Sequence, residues 1–246
     1  QIRAAEEILA DVGCKALHVA DREADIYASL QTLRERQYSF VIRLARDKKA
    51  RLTADAPFEN LTTLARRAEG RTEVLAPIAK RAATTIPQRK KTFAEREARM
   101  ARLEFAATSA TINAPKYGEG SLPINVVHVR EIEPPDTDEP IEWFLLTSEP
   151  VDTVEQVAEV VQAYRTRWII EEFFKALKTG CAMEDRELES LHTLTNVLAL
   201  CIPIAYQLLA VRHLARTKPT APASDVLSPT QIAILQAKTK LGSAPT

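Results

Sequence analysis

The sequence contains none of the short motifs that mark nucleotide-binding loops, zinc proteases or serine hydrolases. There is no G-x-x-x-x-G-K-[ST], G-x-G-x-x-G, H-E-x-x-H or G-x-S-x-G pattern. The four histidines are dispersed, which argues against a histidine-based zinc site or a catalytic triad: His18, His128, His192 and His213. The candidate chemistry must therefore be sought among the carboxylates.

Cysteines are few, and long apolar runs are lacking. Cys14, Cys181 and Cys201 form no C-x-x-C pair and are odd in number, so we expect free thiols in a reducing compartment. The longest apolar run, 197–205, is interrupted by Pro203 and is too short to span a bilayer, which predicts no membrane segment. The chain starts at Gln1 without a signal-peptide pattern, so we regard it as a piece of a longer protein.

The chain also lacks a net charge, since 33 Lys and Arg residues balance 33 Asp and Glu residues. Neutrality counts mildly against a nucleic-acid partner, but charge can be segregated within a chain. An apolar content of 46% and a charged content of 27% are typical of a soluble globular protein. With 246 residues the chain can form one or two domains with a sizeable core.

The first 44 residues have the pattern of an α/β unit. A helix is predicted over 1–13, a short buried strand over 16–20 that ends at Asp21, a second helix over 24–37 and a second strand over 39–44. A strand, a helix and a strand within about thirty residues indicate a βαβ unit and therefore an α/β sheet.

Residues 45–142 differ in character, because prolines are scattered among β-like runs at 71–78, 101–112 and 124–132. This pattern predicts an inserted, mostly antiparallel β subdomain. Basic side chains concentrate here: Lys80, Arg81, Arg89, Lys90, Lys91, Arg96, Arg99 and Arg102. A solvated strand edge and an arm that contacts DNA phosphates explain this charge equally well.

Four polar side chains share one stripe of the next predicted helix. That helix is expected to begin at an N-cap, Asp152 or Thr153, with Glu155 reaching back to it, and to end before Gly180, where a left-handed residue is expected. At about 100° per residue, Tyr164, Arg167, Glu171 and Lys178 follow an apolar face on the same side. The stripe is either a salt-bridged helix flank or a ligand-binding face. If the helix packs across the sheet, Glu171 could meet Asp21, and two such carboxylates suit Mg2+ or Mn2+.

The C-terminal third is predicted to be mainly helical. A strand over 143–147 precedes the long helix, and an apolar helix over 188–216 is expected to pack on the sheet. Pro203 inside this helix predicts a kink or a break. A linker over 217–222 leads to a short helix over 230–241.

Two motifs resemble one family. The spacing Y-x2-R-x3-E-x6-K, at Tyr164, Arg167, Glu171 and Lys178, and the D-R-E-A-D segment at 21–25 are similar to those of the DDE transposases of bacterial insertion sequences, in the IS-four family. The resemblance covers about residues 10–209. It implies an α/β, ribonuclease H-like (RNase H-like) core at 1–44 and 142–216, a β insertion at 45–141 and a truncated C-terminal region at 217–246.

The resemblance also implies site residues. Asp21 and Glu171 would bind the catalytic Mg2+ or Mn2+, two ions in the complete enzyme. Three residues would hold DNA, namely Tyr164, Arg167 and Lys178. Trp143 would stack on a flipped base, and Arg43 would lie near DNA. Without the resemblance, a tryptophan on a strand is better interpreted as a core residue. Asp25 is expected to be either a helix N-terminal residue or an ion-pair residue, and not to bind metal. Possible nonspecific DNA contacts are Arg89, Lys90 and Lys91.

The expected partners are double-stranded DNA, as transposon ends and target, and a second copy in a DNA-bound homodimer, without a membrane. The expected location is the nucleoid in a bacterial cytoplasm. The sequence departs from the family in one respect, because no strand ending in Asp precedes Asp21. The first aspartate and first strands are therefore expected to be missing and the piece to be inactive alone. The alternative is an inactive transposase remnant or a DNA-binding, oligomerising inhibitor module.

Overall fold

A computed structural model describes residues 2–69, 72–78, 80, 82–86, 91–115, 120–136 and 139–239; of 84–86, 91–93 and 239 it describes the backbone alone. The chain divides into two compact units, Gln1–Thr166 and Arg167–Thr246. Each unit has its own buried core, and the two are described in turn.

The first unit contains most of the secondary structure. Its strands are β1 (Leu17–Ala20), β2 (Ser39–Arg43), β3 (Lys49–Arg51), β4 (Glu59–Asn60), β5 (Thr72–Ile78), β6 (Thr84–Ile86), β7 (Lys91–Phe93), β8 (Arg99–Asn113), β9 (Ser121–Ile132) and β10 (Glu142–Thr147). Its helices are α1 (Ile2–Asp11), α2 (Tyr27–Glu35), α3 (Leu61–Arg66) and α4 (Val154–Thr166), with a 3-10 turn at Arg22–Ala24.

Eight of these strands form one sheet in the order β1-β2-β10-β9-β8-β3-β4, with β5 also paired to β8. Among the described strands, β1 and β2 are the parallel pair, with Ala20 opposite Ile42, and the other pairings are antiparallel. Strands β6 and β7 form a separate hairpin. The fold is therefore mixed α/β with a mostly antiparallel sheet.

Helices cover both faces of the sheet. Side chains alternate along a strand, so neighbouring residues of one strand enter different cores. Phe40 and Ile42 point to one core, where they pack with side chains of α2 and α3. Val41 points to the other core, where it packs with Val157, Val160 and other side chains of α4. The two-layer cover fixes the strand register, since a shift by one residue would exchange the two faces.

The predicted strands after residue 45 are confirmed as β5, β8 and β9, and they extend the same sheet. Strand β9 pairs with β8 on one side and with β10 on the other, and β10 pairs in turn with β2. The sheet is thus continuous across the predicted boundaries at 44/45 and 141/142. Those domain boundaries stay a prediction.

Helix α4 begins with a capping box that differs by one residue from the predicted one. The backbone N–H of Gln156 donates to Thr153 Oγ1 at 3.3 Å, and Gln156 Oε1 accepts from the backbone N–H groups of Asp152 and Thr153. The predicted contact of Glu155 with the cap is present as well. A hydrogen bond from its own backbone N–H and one from the Thr153 side chain lower the pKa of the Glu155 carboxyl from its ordinary value.

The prediction of one uninterrupted helix through Lys178 was wrong. Helix α4 ends at Thr166 and α5 (Trp168–Lys175) begins beyond Arg167, which keeps helical dihedral angles. The Thr166 hydroxyl donates to the carbonyl of Ala163 at 2.7 Å, and Ile170 N–H donates to Arg167 three residues back. The interruption therefore falls at a threonine whose hydroxyl bonds the backbone of the preceding turn.

The second unit continues from α5 into a π-helical turn, Ala176–Gly180, and then contains α6 (Leu191–Thr217), a 3-10 turn (Ala223–Asp225) and α7 (Pro229–Thr239). Gly180 does not take the predicted left-handed conformation, which occurs instead at Ala182 with φ 49°. A Cβ at Gly180 would lie 3.1 Å from Leu208 Cδ1 of α6, so the end of that leucine side chain would have to shift by a few tenths of an ångström.

Helix α6 contains Pro203 but is a single helical segment of 27 residues. No Asp, Glu, Lys or Arg occurs from 191 to 211, and the helix is long and apolar enough to cross a membrane by length and composition. The argument that the apolar run is too short therefore fails. One such helix is weak evidence for a membrane, since core helices of water-soluble proteins pass the same test, and the absence of a membrane stays a prediction.

Candidate functional site

Asp21 lies at the carboxyl end of β1, where the sheet gives way to the 3-10 turn Arg22–Ala24. Its backbone is extended, and its Oδ1 accepts a hydrogen bond from the backbone N–H of Arg22 at 2.8 Å. The first residue of the D-R-E-A-D segment is therefore fixed by the turn that follows it. Its side chain is partly exposed at the end of the strand.

Tyr164 reaches the same carboxylate from α4. Its hydroxyl donates to Asp21 Oδ1 at 3.2 Å, although 143 residues separate the two positions. The tyrosine is buried with 5% of its surface exposed, among the apolar side chains that α4 packs on the sheet. Packing of α4 across the sheet thus brings the first residue of the Y-x2-R-x3-E-x6-K spacing to the D-R-E-A-D segment.

Trp143 and Arg43 complete this cluster. The Trp143 ring meets the Tyr164 ring edge-on, with centroids 5.4 Å apart, and the Arg43 guanidinium lies 6.0 Å from the Trp143 centroid. Trp143 is half-buried at the margin of the α4 core. Four predicted site residues are therefore adjacent in the first unit. Their roles in binding metal or DNA stay a prediction.

The reverse face of β10 is anchored by Glu142 and Phe144. Arg66 donates two hydrogen bonds of 3.0 Å to the Glu142 carboxylate, which also pairs with His128 Nε2 at 3.0 Å. The hydrogen bonds from Arg66 are the main cause that lowers the pKa of Glu142 from its ordinary value. His128 in turn stacks on Phe144. These contacts hold the strand that positions Trp143 on the opposite face.

The rest of the predicted spacing lies in the second unit. Arg167 Nη1 donates to Glu171 Oε1 at 2.9 Å, and Lys178 pairs with Glu184 at 2.7 Å. Both pairs border a groove of about 560 Å³ lined by Arg167, Ile170, Glu171, Phe174, Lys175, Lys178, Thr179 and Glu184. The salt-bridged flank is therefore present between Arg167 and Glu171, and it lines a charged groove.

Asp25 forms the expected ion pair, and its partner is a lysine that sequence spacing did not indicate. The Asp25 carboxylate is fully buried, and Lys48 Nζ lies 2.7 Å from Oδ1. Asp25 Oδ2 accepts from the backbone N–H groups of Ala45 at 2.8 Å and Arg46 at 3.4 Å. The last residue of D-R-E-A-D thus holds the loop after β2 and is occupied with structural contacts.

The predicted basic arm is only partly described. Arg89 and Lys90 lie outside the described residues, and of Lys91 only the backbone, in β7, is described. Other cations of the arm pair with carboxylates: Lys80 with Glu95 and Glu97, Arg99 with Glu131, and Arg102 with Glu73 and Glu133. These pairs reduce the positive charge available to phosphates, and the predicted DNA contacts stay a prediction.

The donor chemistry of the site suits a hard divalent cation. Asp21 offers a carboxylate oxygen at a strand end, held in place by two hydrogen bonds, and Mg2+ and Mn2+ prefer such ligands. Glu171, in the second unit, has a carboxylate of its own, at which a cation would compete with Arg167. Among the described residues, no group of three or more His, Cys, Asp or Glu side chains converges on one point.

The chain matches a known protein family. The family model described as a transposase DDE domain matches residues 1–208. The match covers the whole first unit and extends into the second as far as α6. It includes every residue assigned above to the two motifs.

Proposed function

Because the chain belongs to the DDE transposase family, we propose that it is the catalytic core of a cut-and-paste transposase of the IS-four type, which cleaves and joins the ends of an insertion sequence. Membership of this family by itself implies that the protein is a transposase and that it acts on DNA. DDE transposase domains generally use divalent metal ions.

One observation carries the proposal, namely the hydrogen bond between Tyr164 and Asp21. The D-R-E-A-D segment and the Y-x2-R-x3-E-x6-K spacing are independent matches to the same type of transposase. The two motifs lie far apart in the sequence, yet Tyr164, the first residue of one, contacts Asp21, the first residue of the other and the carboxylate that the resemblance makes a metal ligand. This meeting is what a shared active site requires.

In the proposed active site, Asp21 and Glu171 hold Mg2+ or Mn2+, two ions in the complete enzyme. Bound divalent cations supply stabilisation of the attacking and leaving oxygens of an in-line phosphoryl displacement. Arg167 and Lys178 hold the DNA backbone beside Glu171, and Trp143 with Arg43 receives a base extruded from the duplex. The charges and ring contacts described above support these roles.

We also propose that the sheet is an RNase H-like core. The parallel pair β1–β2, joined through α2 and covered by α4, supports this assignment. Among the described strands, β1 has a neighbour on one side only. An open strand edge pairs readily with another strand. We therefore place a strand that bears the third carboxylate beside β1.

The proposed assembly is a homodimer on paired DNA ends, acting on the bacterial nucleoid. Arg89, Lys90 and Lys91 would add nonspecific phosphate contacts, whose strength falls as salt rises. Contacts to phosphates carry no sequence information, so these residues would strengthen binding without selecting a sequence.

Removal of divalent metal tests the proposed reaction. We expect the complete protein to nick DNA that carries the ends of its own element in Mg2+ or Mn2+, and to lose this activity in EDTA. Restoring Mg2+ should restore nicking, because the displacement needs the cation. Gel analysis of end-labelled duplex measures the nick. Nicking that persists in EDTA would refute metal-dependent phosphoryl transfer.

Replacement of Trp143 by Ala tests the base-binding surface. Stacking of a base on an aromatic ring contributes about 1–3 kcal/mol, and extruding a base costs a few kcal/mol. We therefore expect the W143A variant to impair hairpin formation or resolution more than the first nick. Fluorescence of a base analogue at the extruded position should rise with the unmutated protein and stay low with the variant.

The matched control is Trp168→Ala, which removes the other tryptophan of the chain from an exposed position on α5. This variant should leave the fluorescence of the base analogue unchanged. An equal signal from the W143A variant and the unmutated protein would show that Trp143 binds no base and serves only as a core residue.

A further inference from the structure

The Tyr164 hydroxyl is directed toward a carboxylate, not toward solvent. The residue lies on the buried face of α4 with Val157, Val160 and Val161. Packing of this face on the sheet fixes which way the helix faces. Only 5% of the tyrosine is exposed, and the Trp143 ring lies against it. Its hydroxyl donates to Asp21 Oδ1.

A direct DNA contact, which the family resemblance implies for Tyr164, fits these surroundings poorly. A side chain must expose its polar group to bind a phosphate of a bulky duplex, and Tyr164 presents almost no surface. Trp143 and Arg43 are more exposed and lie on the same cluster. The neighbours of Tyr164, and not Tyr164 itself, are therefore placed to meet a nucleic acid.

We propose that Tyr164 is a positioning residue for Asp21. Two donors, the Tyr164 hydroxyl and the Arg22 backbone N–H, converge on the same oxygen, Oδ1. Two hydrogen bonds to one oxygen restrain rotation of the carboxylate group about its Cβ–Cγ bond. Tyr164 acts on the reaction by holding the carboxylate in one orientation, which costs no reorganisation when a cation binds.

This inference rests on the proposed function, because it takes Asp21 to be a metal ligand. It differs from that proposal in a testable way. A positioning residue changes the affinity for metal and leaves the affinity for DNA unchanged, whereas a phosphate contact does the reverse. The loss of a partner that orients a metal ligand typically weakens metal binding by roughly 10–100-fold.

The test is Tyr164→Phe in the complete protein, since phenylalanine keeps the ring and removes the hydroxyl. Binding of Mn2+ is measured by electron paramagnetic resonance of the free ion, with uncleaved end duplex present. We expect the Asp21-dependent Mn2+ affinity to fall by about tenfold or more. Affinity for end duplex without metal, measured by fluorescence anisotropy, should change by less than about twofold.

Two further variants make the outcome specific. Tyr38→Phe, in the same unit, removes a half-buried tyrosine hydroxyl beside His18 and should change neither affinity. Asp21→Asn defines the part of the Mn2+ isotherm that depends on Asp21. If the D21N variant binds Mn2+ like the unmutated protein, the proposed function fails, because Asp21 then holds no cation.

If the D21N variant loses Mn2+ but the Y164F variant keeps full affinity, the proposed function stands and the positioning role is refuted. A tenfold loss of DNA affinity by the Y164F variant, with an unchanged Mn2+ isotherm, would instead make Tyr164 a DNA contact. A reduced Mn2+ affinity with unchanged DNA affinity and unchanged thermal unfolding is the result that supports positioning.

Discussion

Replacing Glu171 with Gln is expected to abolish DNA strand cleavage by the complete protein and to leave binding of the DNA ends nearly intact. The substitution removes the charge that a divalent cation needs but keeps the shape of the side chain. Loss of even an outer partner of a metal ligand costs roughly 10–100-fold, so loss of a ligand itself should cost more. Single-turnover nicking of end-labelled duplex in Mg2+ measures the effect.

The fold should tolerate this substitution. Glu171 is about half exposed, and its contact with Arg167 is an i, i+4 ion pair on a helix, a kind of pair that contributes about 0.3–0.5 kcal/mol. Gln keeps an oxygen that can still accept from Arg167. Thermal unfolding of the E171Q variant should therefore match that of the unmutated protein, which separates lost chemistry from lost structure.

The neighbouring residue provides the control. Glu172 is on the same helix but faces Arg212 and Arg216 of α6 at 3.6 and 3.5 Å. The E172Q variant should nick DNA at the normal rate. Normal cleavage by the E171Q variant, together with a defect in the E172Q variant, would show that the metal ligand was assigned to the wrong carboxylate.

Asp25→Ala is expected to destabilise the first unit by about 3 kcal/mol, the lower end of the range for breaking a buried ion pair. The substitution removes the carboxylate that pairs with Lys48, whose side chain is 14% exposed. It also leaves the backbone N–H groups of Ala45 and Arg46 without this acceptor. At about 2–4 °C per kcal/mol for a domain of this size, the melting temperature should fall by roughly 6–12 °C.

Asp55→Ala is the matched control for Asp25→Ala. Asp55 is exposed in the loop between β3 and β4, and its replacement should change stability by no more than about 0.5 kcal/mol. Adding Lys48→Met to the D25A variant should recover part of the loss, because the stranded charge is then removed. Equal melting temperatures for the D25A and D55A variants would mean that the buried pair contributes nothing measurable.

Local patterns in the sequence predicted the elements well. The strand ending at Asp21, the helix after it and the strand over 39–44 correspond to β1, α2 and β2. Such elements follow from apolar spacing within a few residues, which is visible in any short window. The local prediction failed at Thr166, where the predicted long helix is interrupted, and at Gly180, which does not take a left-handed conformation.

The two motifs could be identified from the sequence alone. They indicated a DDE transposase, and the family comparison then matched a transposase DDE domain. A motif is a local property, because its residues have fixed spacing along the chain. The carboxylate at a strand end and the i, i+4 pair of Arg167 with Glu171 could be predicted for that reason. The buried ion pair of Asp25 was predicted as a type of contact, but no spacing pointed to Lys48.

Only the tertiary structure decided which distant residues meet. The contact of Tyr164 with Asp21 arises because α4 packs across the parallel strands, and the pairing of Asp25 with Lys48 arises from the path of the loop after β2. The joining of β9 to β10 likewise makes one sheet of segments that the sequence suggested were separate. Spacing along the chain fixes local structure, whereas contacts between remote segments depend on how whole faces fit together.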